Sequence, residues 1–290
     1  MMDNQLLLNA RTRVAAGIYI KQPPHALMIV GLPGSGKTAL AHYLAAEVLG
    51  SKDVTSHPYF LTLTRPKDKR DIPIDDVRQV LHKLRLKTPG KGAVRRIVFI
   101  EDAHNLSGEA QSALLKALEE PAADTAYILS VPSIRSVLPT IASRAQSLTL
   151  HPVTLTQAQE HYAGKYPQSA IKNAWQLSQG RGGLLNALLG NATEHPLKQS
   201  VDSAKQFLRH DKYQRLLELD KLSKDKEQFN LFLDALGKVL AALQNATVGK
   251  GGRQAGLLRS RRLVTQLQAA LAANTAPRLI ALELALKLEI

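Results

Sequence analysis

The first half of the chain alternates short apolar runs with helical patterns, and this alternation predicts an α/β fold. Five short runs have the apolar character of buried strands: Ala26–Val30, Phe60–Leu63, Ile97–Ile100, Ala126–Ser130 and Gln146–Leu150. Helical periodicity separates several of these runs, at Lys37–Leu49, Ile74–Leu86 and Gly108–Glu120. Short apolar strands that alternate with helices are typical of a parallel sheet covered on both faces.

Strand patterns end after Leu150, and the rest of the chain predicts helices. Short helices are predicted first, closed by the glycine cluster Gly180–Gly183. Longer amphipathic helices follow, for example Gln228–Gln244 and Arg278–Leu288. The pattern therefore predicts three domains, an α/β domain, a small helical domain and an all-α domain, over residues 1–151, 152–192 and 193–290.

Composition excludes several classes of protein. Hydrophobic residues make up 44% and charged residues 21%, which is ordinary for a folded soluble protein. No apolar run approaches the ~20 residues that cross a bilayer. The N-terminal segment has neither the basic flank nor the long apolar stretch of a signal peptide, so we expect a cytoplasmic protein with no membrane contact. The chain has no cysteine, which excludes disulfides, thiolate catalysis and cysteine-ligated zinc.

The chain carries a formal net charge of +14, which favours a polyanionic partner because Lys and Arg release counterions from phosphates. Between Ala235 and Leu282 there is no acidic residue, and the bases there are Lys238, Lys250, Arg253, Arg259, Arg261, Arg262 and Arg278. The stretch Arg259–Arg262 is compatible with a DNA contact and equally with the solvated face of a helix.

One segment matches the phosphate-loop pattern G-x-x-x-x-G-K-[ST], and its residues are Gly31, Leu32, Pro33, Gly34, Ser35, Gly36, Lys37 and Thr38. An apolar run precedes the segment and a helical pattern follows, as the motif requires. Glycines let successive N–H groups converge on phosphate oxygens without a Cβ in the way, and the helix presents its positive end. Lys37 would reach the β and γ phosphates and Thr38 would ligate Mg²⁺. The sequence therefore predicts a site for ATP and Mg²⁺.

Two acids, Glu101 and Asp102, follow the apolar run Ile97–Ile100. Phosphate-loop enzymes of this kind usually place Asp first, to hold the Mg²⁺ shell, and then Glu, to orient the attacking water, so the order here is reversed. Here Glu101 would take the metal position with one methylene too many, and Asp102 would reach the water with one too few. Since a misplacement of about 1 Å can cost roughly a hundredfold in rate, we expect ATP binding with weak or absent hydrolysis.

The stretch Ile97–Pro121, IVFIEDAHNLSGEAQSALLKALEEP, resembles the AAA+ clamp-loader subunits of bacterial DNA polymerase III. Their hallmark is the run A-LLK-LEEP, which stands here at Ala113–Pro121. Leu138–Arg144 resembles the family motif L-P-T-I-x-S-R. The degenerate acid pair makes the chain more similar to the delta-prime type than to the ATP-hydrolysing gamma/tau type.

This resemblance implies an AAA+ nucleotide-binding domain, a helical lid and a C-terminal helical collar. It implies a hetero-oligomer with gamma/tau and delta subunits that loads a sliding clamp on primed DNA. Arg144 would act in trans on a neighbouring subunit's ATP, and Ser133 aligns with the γ-phosphate sensor. The second sensor falls on Gly183, and Arg181, two residues away, is not assigned that role. Zinc is not implied, because the family's four-cysteine module is replaced by the cysteine-free segment Gly50–Tyr59.

Three alternatives remain open from the sequence alone. A gamma/tau-like motor subunit would hydrolyse ATP robustly as an isolated chain. A small P-loop kinase would transfer phosphate to a metabolite, although the helical last hundred residues count against that interpretation. A nucleotide-independent scaffold would keep its loader function after Lys37→Ala.

Overall fold

The computed structural model describes residues 6–85, 88–89, 92–190, 196–246 and 251–289, which form two compact units. The first unit consists of the described residues of Met1–His161 together with Arg181–Gly183. The second consists of those of Tyr162–Gly180 and Leu184–Ile290. The division into three domains remains a prediction.

A parallel sheet with helices on both faces forms the first unit. Its strands are β1 (Ala26–Val30), β2 (Phe60–Leu63), β3 (Arg96–Ile100), β4 (Thr125–Val131) and β5 (Gln146–Thr149). Its helices are α1 (Ala10–Lys21), α2 (Lys37–Leu49), α3 (Ile74–Lys83), α4 (Gly108–Glu119), α5 (Pro139–Ala142) and α6 (Leu155–His161). The strand order is β2-β3-β4-β1-β5, and every neighbouring pair is parallel. The predicted α/β domain is thus confirmed.

The sheet is buried on both faces because successive side chains of a strand point to opposite sides. Met28 and Val98 lie in the cluster that contains residues of α3 and α4, whereas Leu27 and Phe99 lie in the cluster that contains residues of α1 and α2. Every residue of β1, β3 and β4 is buried. Full burial of one large apolar side chain stabilises a fold by about 1.5–3 kcal/mol, so these central strands anchor the domain.

The observed elements follow the predicted ones closely. Strands β1 and β2 and helix α2 have the predicted bounds. Strand β3 begins one residue earlier, β4 extends one residue at each end, and β5 and α4 each end one residue earlier. Helix α3 ends at Lys83, and Leu86, where the pattern ended it, lies outside the described residues.

Helix α1 was not predicted, and it packs against α2 and β5. Its buried face is made of Thr12, Ala16 and Tyr19, which give little hydrophobic contrast. The Thr12 hydroxyl donates to the Thr149 carbonyl at 3.3 Å and accepts from the His151 N–H at 3.1 Å. These two bonds tie α1 to the end of β5.

The second unit is helical in its described part. Its helices are α7 (Gln168–Ser178), α8 (Gly182–Leu189, whose first two residues belong to the first unit), α9 (Pro196–Phe207), α10 (Lys212–Leu222), α11 (Lys226–Ala246), α12 (Gly251–Ala272) and α13 (Pro277–Lys287). Its core centres on Phe207, Phe229 and Phe232, all essentially fully buried. The rings of Phe207 and Phe232 meet edge to face, with centroids 5.2 Å apart. This confirms the predicted helical C-terminal part.

Membrane-spanning candidates were sought among the described residues, and none of their helices combines the length and apolar character that crossing a bilayer needs.

Candidate nucleotide-binding site

The phosphate loop connects β1 to α2, as the sequence predicted. Gly34 and Gly36 have φ values of 80° and 97°, which glycine adopts at no steric cost. The Gly31 N–H donates to the Val131 carbonyl at 3.0 Å, which fixes the start of the loop to the neighbouring strand β4. Gly36 is the N-cap of α2, and no described side chain caps that end of the helix. The first N–H groups of α2 are therefore available to an anion.

Gly31 is closely surrounded by side chains. A Cβ at this position would lie 2.6 Å from the Ser35 Oγ and 3.2 Å from the Leu150 Cβ. The Ser35 Oγ is itself buried and has no hydrogen-bond partner among the described residues. The start of the phosphate loop is thus closely packed against Leu150, which follows β5.

The structure brings the two acids after β3 to the two polar residues that open α2. The Thr38 hydroxyl donates to Glu101 Oε1 at 2.5 Å, and the Lys37 Nζ lies 3.6 Å from Asp102 Oδ1. The Lys37 side chain is only 10% exposed, whereas that of Asp102 is 44% exposed. The first acid therefore faces the residue expected to ligate Mg²⁺, and the second faces the lysine expected to bind phosphate.

Asp102 is held in an unusual backbone conformation. Its φ and ψ are 46° and 57°, in the left-handed region that Asp visits more readily than most residues. Its N–H donates to the hydroxyl of Ser130, a fully buried residue of β4, at 2.8 Å. Ser130 was not predicted as a site residue, because a serine inside an apolar strand pattern carries no motif of its own.

His104 lies in the 3₁₀ turn Ala103–Asn105 that follows Asp102. Burial lowers its pKa below the ordinary value, and the charges of Lys37 and Arg65 lower it further, although the charge of Asp102 opposes them. Its Nδ1 is buried without a hydrogen-bond partner among the described residues. Burial therefore favours the neutral imidazole beside Lys37.

Arg144 follows the short helix α5 and lies at the end of α4. Its Nη2 is 2.8 Å from the Glu119 Oε1, and its Nη1 donates to the Thr140 carbonyl at 3.0 Å. The side chains of Arg144 and Glu119 are 36% and 48% exposed. Such an exposed ion pair contributes at most about 1 kcal/mol, so the guanidinium can exchange this carboxylate for another anion.

Ser133 lies just beyond β4, before the 3₁₀ turn Ile134–Ser136. Its hydroxyl accepts from the Arg135 N–H at 3.3 Å, and its carbonyl accepts from the Ser136 hydroxyl at 2.6 Å. These contacts stay within its own turn, and the assignment of Ser133 as a γ-phosphate sensor remains a prediction. Among the described residues, no group of three or more His, Asp or Glu side chains could by itself hold a metal ion.

The donor set fits a nucleoside triphosphate with Mg²⁺. The glycine turn offers N–H groups, Lys37 offers a nearly buried ammonium, and Thr38 and Glu101 offer adjacent oxygen atoms. Mg²⁺ takes few protein oxygens and completes its shell with waters and phosphates. A parallel sheet of strand order β2-β3-β4-β1-β5, with a phosphate loop after β1 and acids after β3, is the arrangement of the phosphate-loop class of α/β folds.

A comparison of the sequence with protein families identifies the family of this chain. The family model described as "DNA polymerase III, delta subunit" matches residues 10–154, half of the chain, and the chain belongs to that family. The clamp-loader resemblance stated from the sequence is thereby confirmed.

Curated relatives named DNA polymerase III subunit delta' match this chain. The protein of Escherichia coli K12 is 34% identical over 187 residues, which cover 57% of this chain and 54% of the relative. The protein of Pseudomonas aeruginosa is 28% identical over 207 residues, which cover 65% and 62%. The matched region thus spans between about half and three fifths of the length of these two relatives.

A solved structure shares the fold over nearly the whole chain. The gamma subunit-related protein of DNA polymerase III from Thermotoga maritima has a TM-score of 0.55 and covers 95% of this chain and 97% of its own. Its sequence identity is 16%, so the likeness concerns the fold alone.

Proposed function

We propose that this protein is a subunit of a clamp loader in bacterial DNA replication, which binds ATP with Mg²⁺ and lends Arg144 to a neighbouring subunit. Membership of the delta family and the delta' names of the relatives support the process. The partners would be other loader subunits of the gamma/tau and delta types, with the sliding clamp and primed DNA engaged through the complex.

One observation carries the nucleotide part of this proposal: Thr38 contacts Glu101 at 2.5 Å while Lys37 lies 3.6 Å from Asp102. The glycine turn would bind the phosphates through its N–H groups, and Lys37 would exchange part of its interaction with Asp102 for phosphate oxygens. Thr38 and Glu101 would hold Mg²⁺, directly or through water, and the ion would neutralise phosphate charge. This chain's residues thus bind and orient the nucleotide.

Weak or absent hydrolysis is part of the proposal. The residue that would orient the attacking water is Asp102, and its carboxylate is engaged with Lys37. Its short side chain also starts from a backbone held in place by Ser130. The ATP would therefore serve chiefly to set the conformation of this subunit within the assembly.

The trans role of Arg144 is supported by its position. The guanidinium is partly exposed and is held by acceptors at the end of α4 and in α5, so it is pre-positioned at the surface. An arginine at a neighbour's nucleotide would stabilise the charge that develops on the transferred phosphoryl group. The cost of releasing Glu119 is small because the pair is exposed.

The first experiment measures ATP·Mg²⁺ binding to the purified chain by calorimetry. We expect saturable binding that Lys37→Ala abolishes, while Lys83→Ala, at the end of α3, leaves it unchanged. No heat with the wild-type chain would refute the nucleotide role. Robust phosphate release by the isolated chain would instead favour the gamma-like motor, and phosphate transfer to a metabolite would favour a kinase.

The second experiment reconstitutes the chain with the loader subunits and clamp from the same cell. Arg144→Ala should lower DNA-stimulated ATP turnover by the neighbouring subunit at least tenfold, since an arginine finger contributes roughly 10³–10⁵ in the best-known cases. Arg135→Ala, which removes an exposed arginine from the adjacent 3₁₀ turn, is the matched control. Equal turnover in the two variants would exclude the trans role.

A further inference from the structure

Arg181 contacts the phosphate loop across 148 positions of sequence. Its Nη1 donates to the Pro33 carbonyl at 3.2 Å. Arg181, Gly182 and Gly183 belong to the same compact unit as the loop, apart from the helices that precede and follow them. The contact therefore lies within one unit, beside the residues that would bind phosphate.

The two glycines after Arg181 explain why this segment stays against the loop. A Cβ on Gly183 would lie 2.9 Å from the Gly34 carbonyl oxygen and 3.0 Å from the Gly36 nitrogen. A Cβ on Gly182 would lie 2.8 Å from the Leu7 carbonyl oxygen. Since real Cβ atoms do not approach so closely, only glycine permits this packing of backbone on backbone. The backbone from which the Arg181 side chain extends is thus held against the phosphate loop.

The Pro33 carbonyl matters because it shares a peptide plane with the Gly34 N–H. A trans peptide is planar, so its C=O and N–H point in opposite directions. Gly34 has a φ of 80°, and glycine populates positive and negative φ about equally, so this peptide can rotate at little cost. An arginine that holds the carbonyl on one side keeps the N–H directed to the other.

We propose that Arg181 is a positioning residue of the nucleotide site: it holds the Pro33–Gly34 peptide in one orientation and thereby pre-organises the Gly34 N–H for the phosphates. The inference rests on the proposed nucleotide binding. Successive N–H groups of such a loop cradle the α and β phosphates, and a pre-oriented donor saves the cost of ordering it on binding. Arg181 acts through the loop, so its effect does not depend on a γ phosphate.

A steric variant probes the same contact from the backbone. Gly183→Ala should displace the loop and weaken ATP and ADP binding together, by about as much as loss of Arg181. Gly17→Ala, in α1, is the matched control, because a Cβ there meets nothing within 4 Å. Unchanged affinity in Gly183→Ala would contradict the packing on which the inference depends.

The main test compares ATP and ADP binding to the full chain by calorimetry for the wild type, Arg181→Ala and Arg181→Lys. Losing a hydrogen bond from a charged but partly exposed donor should weaken both nucleotides roughly fivefold, with an unchanged thermal midpoint, and lysine should restore part of the affinity. If only the affinity for ATP falls, Arg181 contacts the γ phosphate directly, and if neither affinity falls, Arg181 has no role in binding. Either result would overturn this inference and leave the proposed function intact. No binding by the wild type would refute the proposed function as well.

Discussion

The two acids after β3 stand in the reverse of the order that phosphate-loop hydrolases use. Each side chain therefore differs by one methylene group from the one expected at its position. Glu101 already contacts Thr38, so it can stand in for the usual aspartate at the metal position. Asp102 is the residue that falls short, because its carboxylate is drawn to Lys37. On the proposed function, the main limit on hydrolysis would therefore lie in the second acid.

Exchanging the two acids should raise ATP turnover by the isolated chain. The double variant Glu101→Asp with Asp102→Glu is expected to increase phosphate release at saturating ATP·Mg²⁺ at least tenfold, because errors near 1 Å cost about a hundredfold. Asp102→Glu alone should give part of the gain, and adding Lys37→Ala should remove it. Unchanged turnover with intact ATP binding would show that another part of the site limits hydrolysis.

Ser130 provides a second prediction, for stability. Ser130→Ala leaves the Asp102 N–H without its acceptor, and the loss of a hydrogen bond at this part-buried donor costs about 1 kcal/mol. We expect the free energy of unfolding, measured by denaturant titration, to fall by that amount. Ser133→Ala, three residues along the chain at an exposed position, should change it by less than about 0.5 kcal/mol. Equal losses in the two variants would contradict the argument.

The sequence could predict the residues of the site that belong to a motif. The spacing of Gly31–Thr38 predicted the phosphate loop, and the two acids after an apolar run were predicted as its partners. Ser130 could not be found this way, because its role depends on the strand pairing that brings it beside Asp102. Arg181 was set aside from spacing alone, since a count of residues cannot show how far a side chain reaches.

Among the elements, the central strands were predictable from their hydrophobic pattern, whereas the first helix was not. Strands buried on both faces, such as β1 and β3, produce unbroken apolar runs and were found to within one residue. Helix α1 produces no such pattern, because its buried positions are a threonine, an alanine and a tyrosine. Its place depends on hydrogen bonds to the end of β5, which only the assembled fold supplies.

A buried ion pair joins the starts of β3 and β4 and makes stability depend on pH. Arg96 Nη2 is 2.7 Å from Asp124 Oδ1. Burial alone would raise the pKa of Asp124, but the hydrogen bonds from Arg96 and Thr125 and the charge of Arg96 outweigh it and hold the pKa below the ordinary value. The ionised carboxylate is therefore favoured by folding.

The sign of this effect gives a third prediction. Because the folded pKa of Asp124 is depressed, its contribution is complete above the unfolded pKa of about 4 and is lost as the pH falls through the folded pKa. Asp124→Asn should lower stability at pH 7 and flatten the decline below about pH 4, measured by denaturant titration at each pH. Asp68→Asn, at an exposed position of a turn, is the control for removing a charge. A decline as steep as that of the wild type would exclude the pair as a source of acid sensitivity.

On the scale of the whole molecule, the chain contains separate cores. The α/β unit is held by the clusters on the two faces of its sheet, and the helical unit by the cluster around Phe207, Phe229 and Phe232. The phosphate loop and the acids that face it belong to the first unit alone. A ligand that binds there stabilises the unit that contains its site by mass action.

Calorimetric unfolding should therefore show two transitions, one for each unit. ATP·Mg²⁺ should raise the midpoint temperature of the α/β unit alone. At a concentration one hundred times the dissociation constant, binding contributes about 2.7 kcal/mol, which corresponds to roughly 5–10 °C for a unit of this size. Lys37→Ala should remove the shift without changing the other midpoint. Phe232 is buried in the helical core. Phe232→Leu should therefore lower the midpoint temperature of the helical unit alone, which ATP·Mg²⁺ does not change. A single transition that both changes move would show that the two cores unfold together, and would make nucleotide binding a constraint on the whole chain.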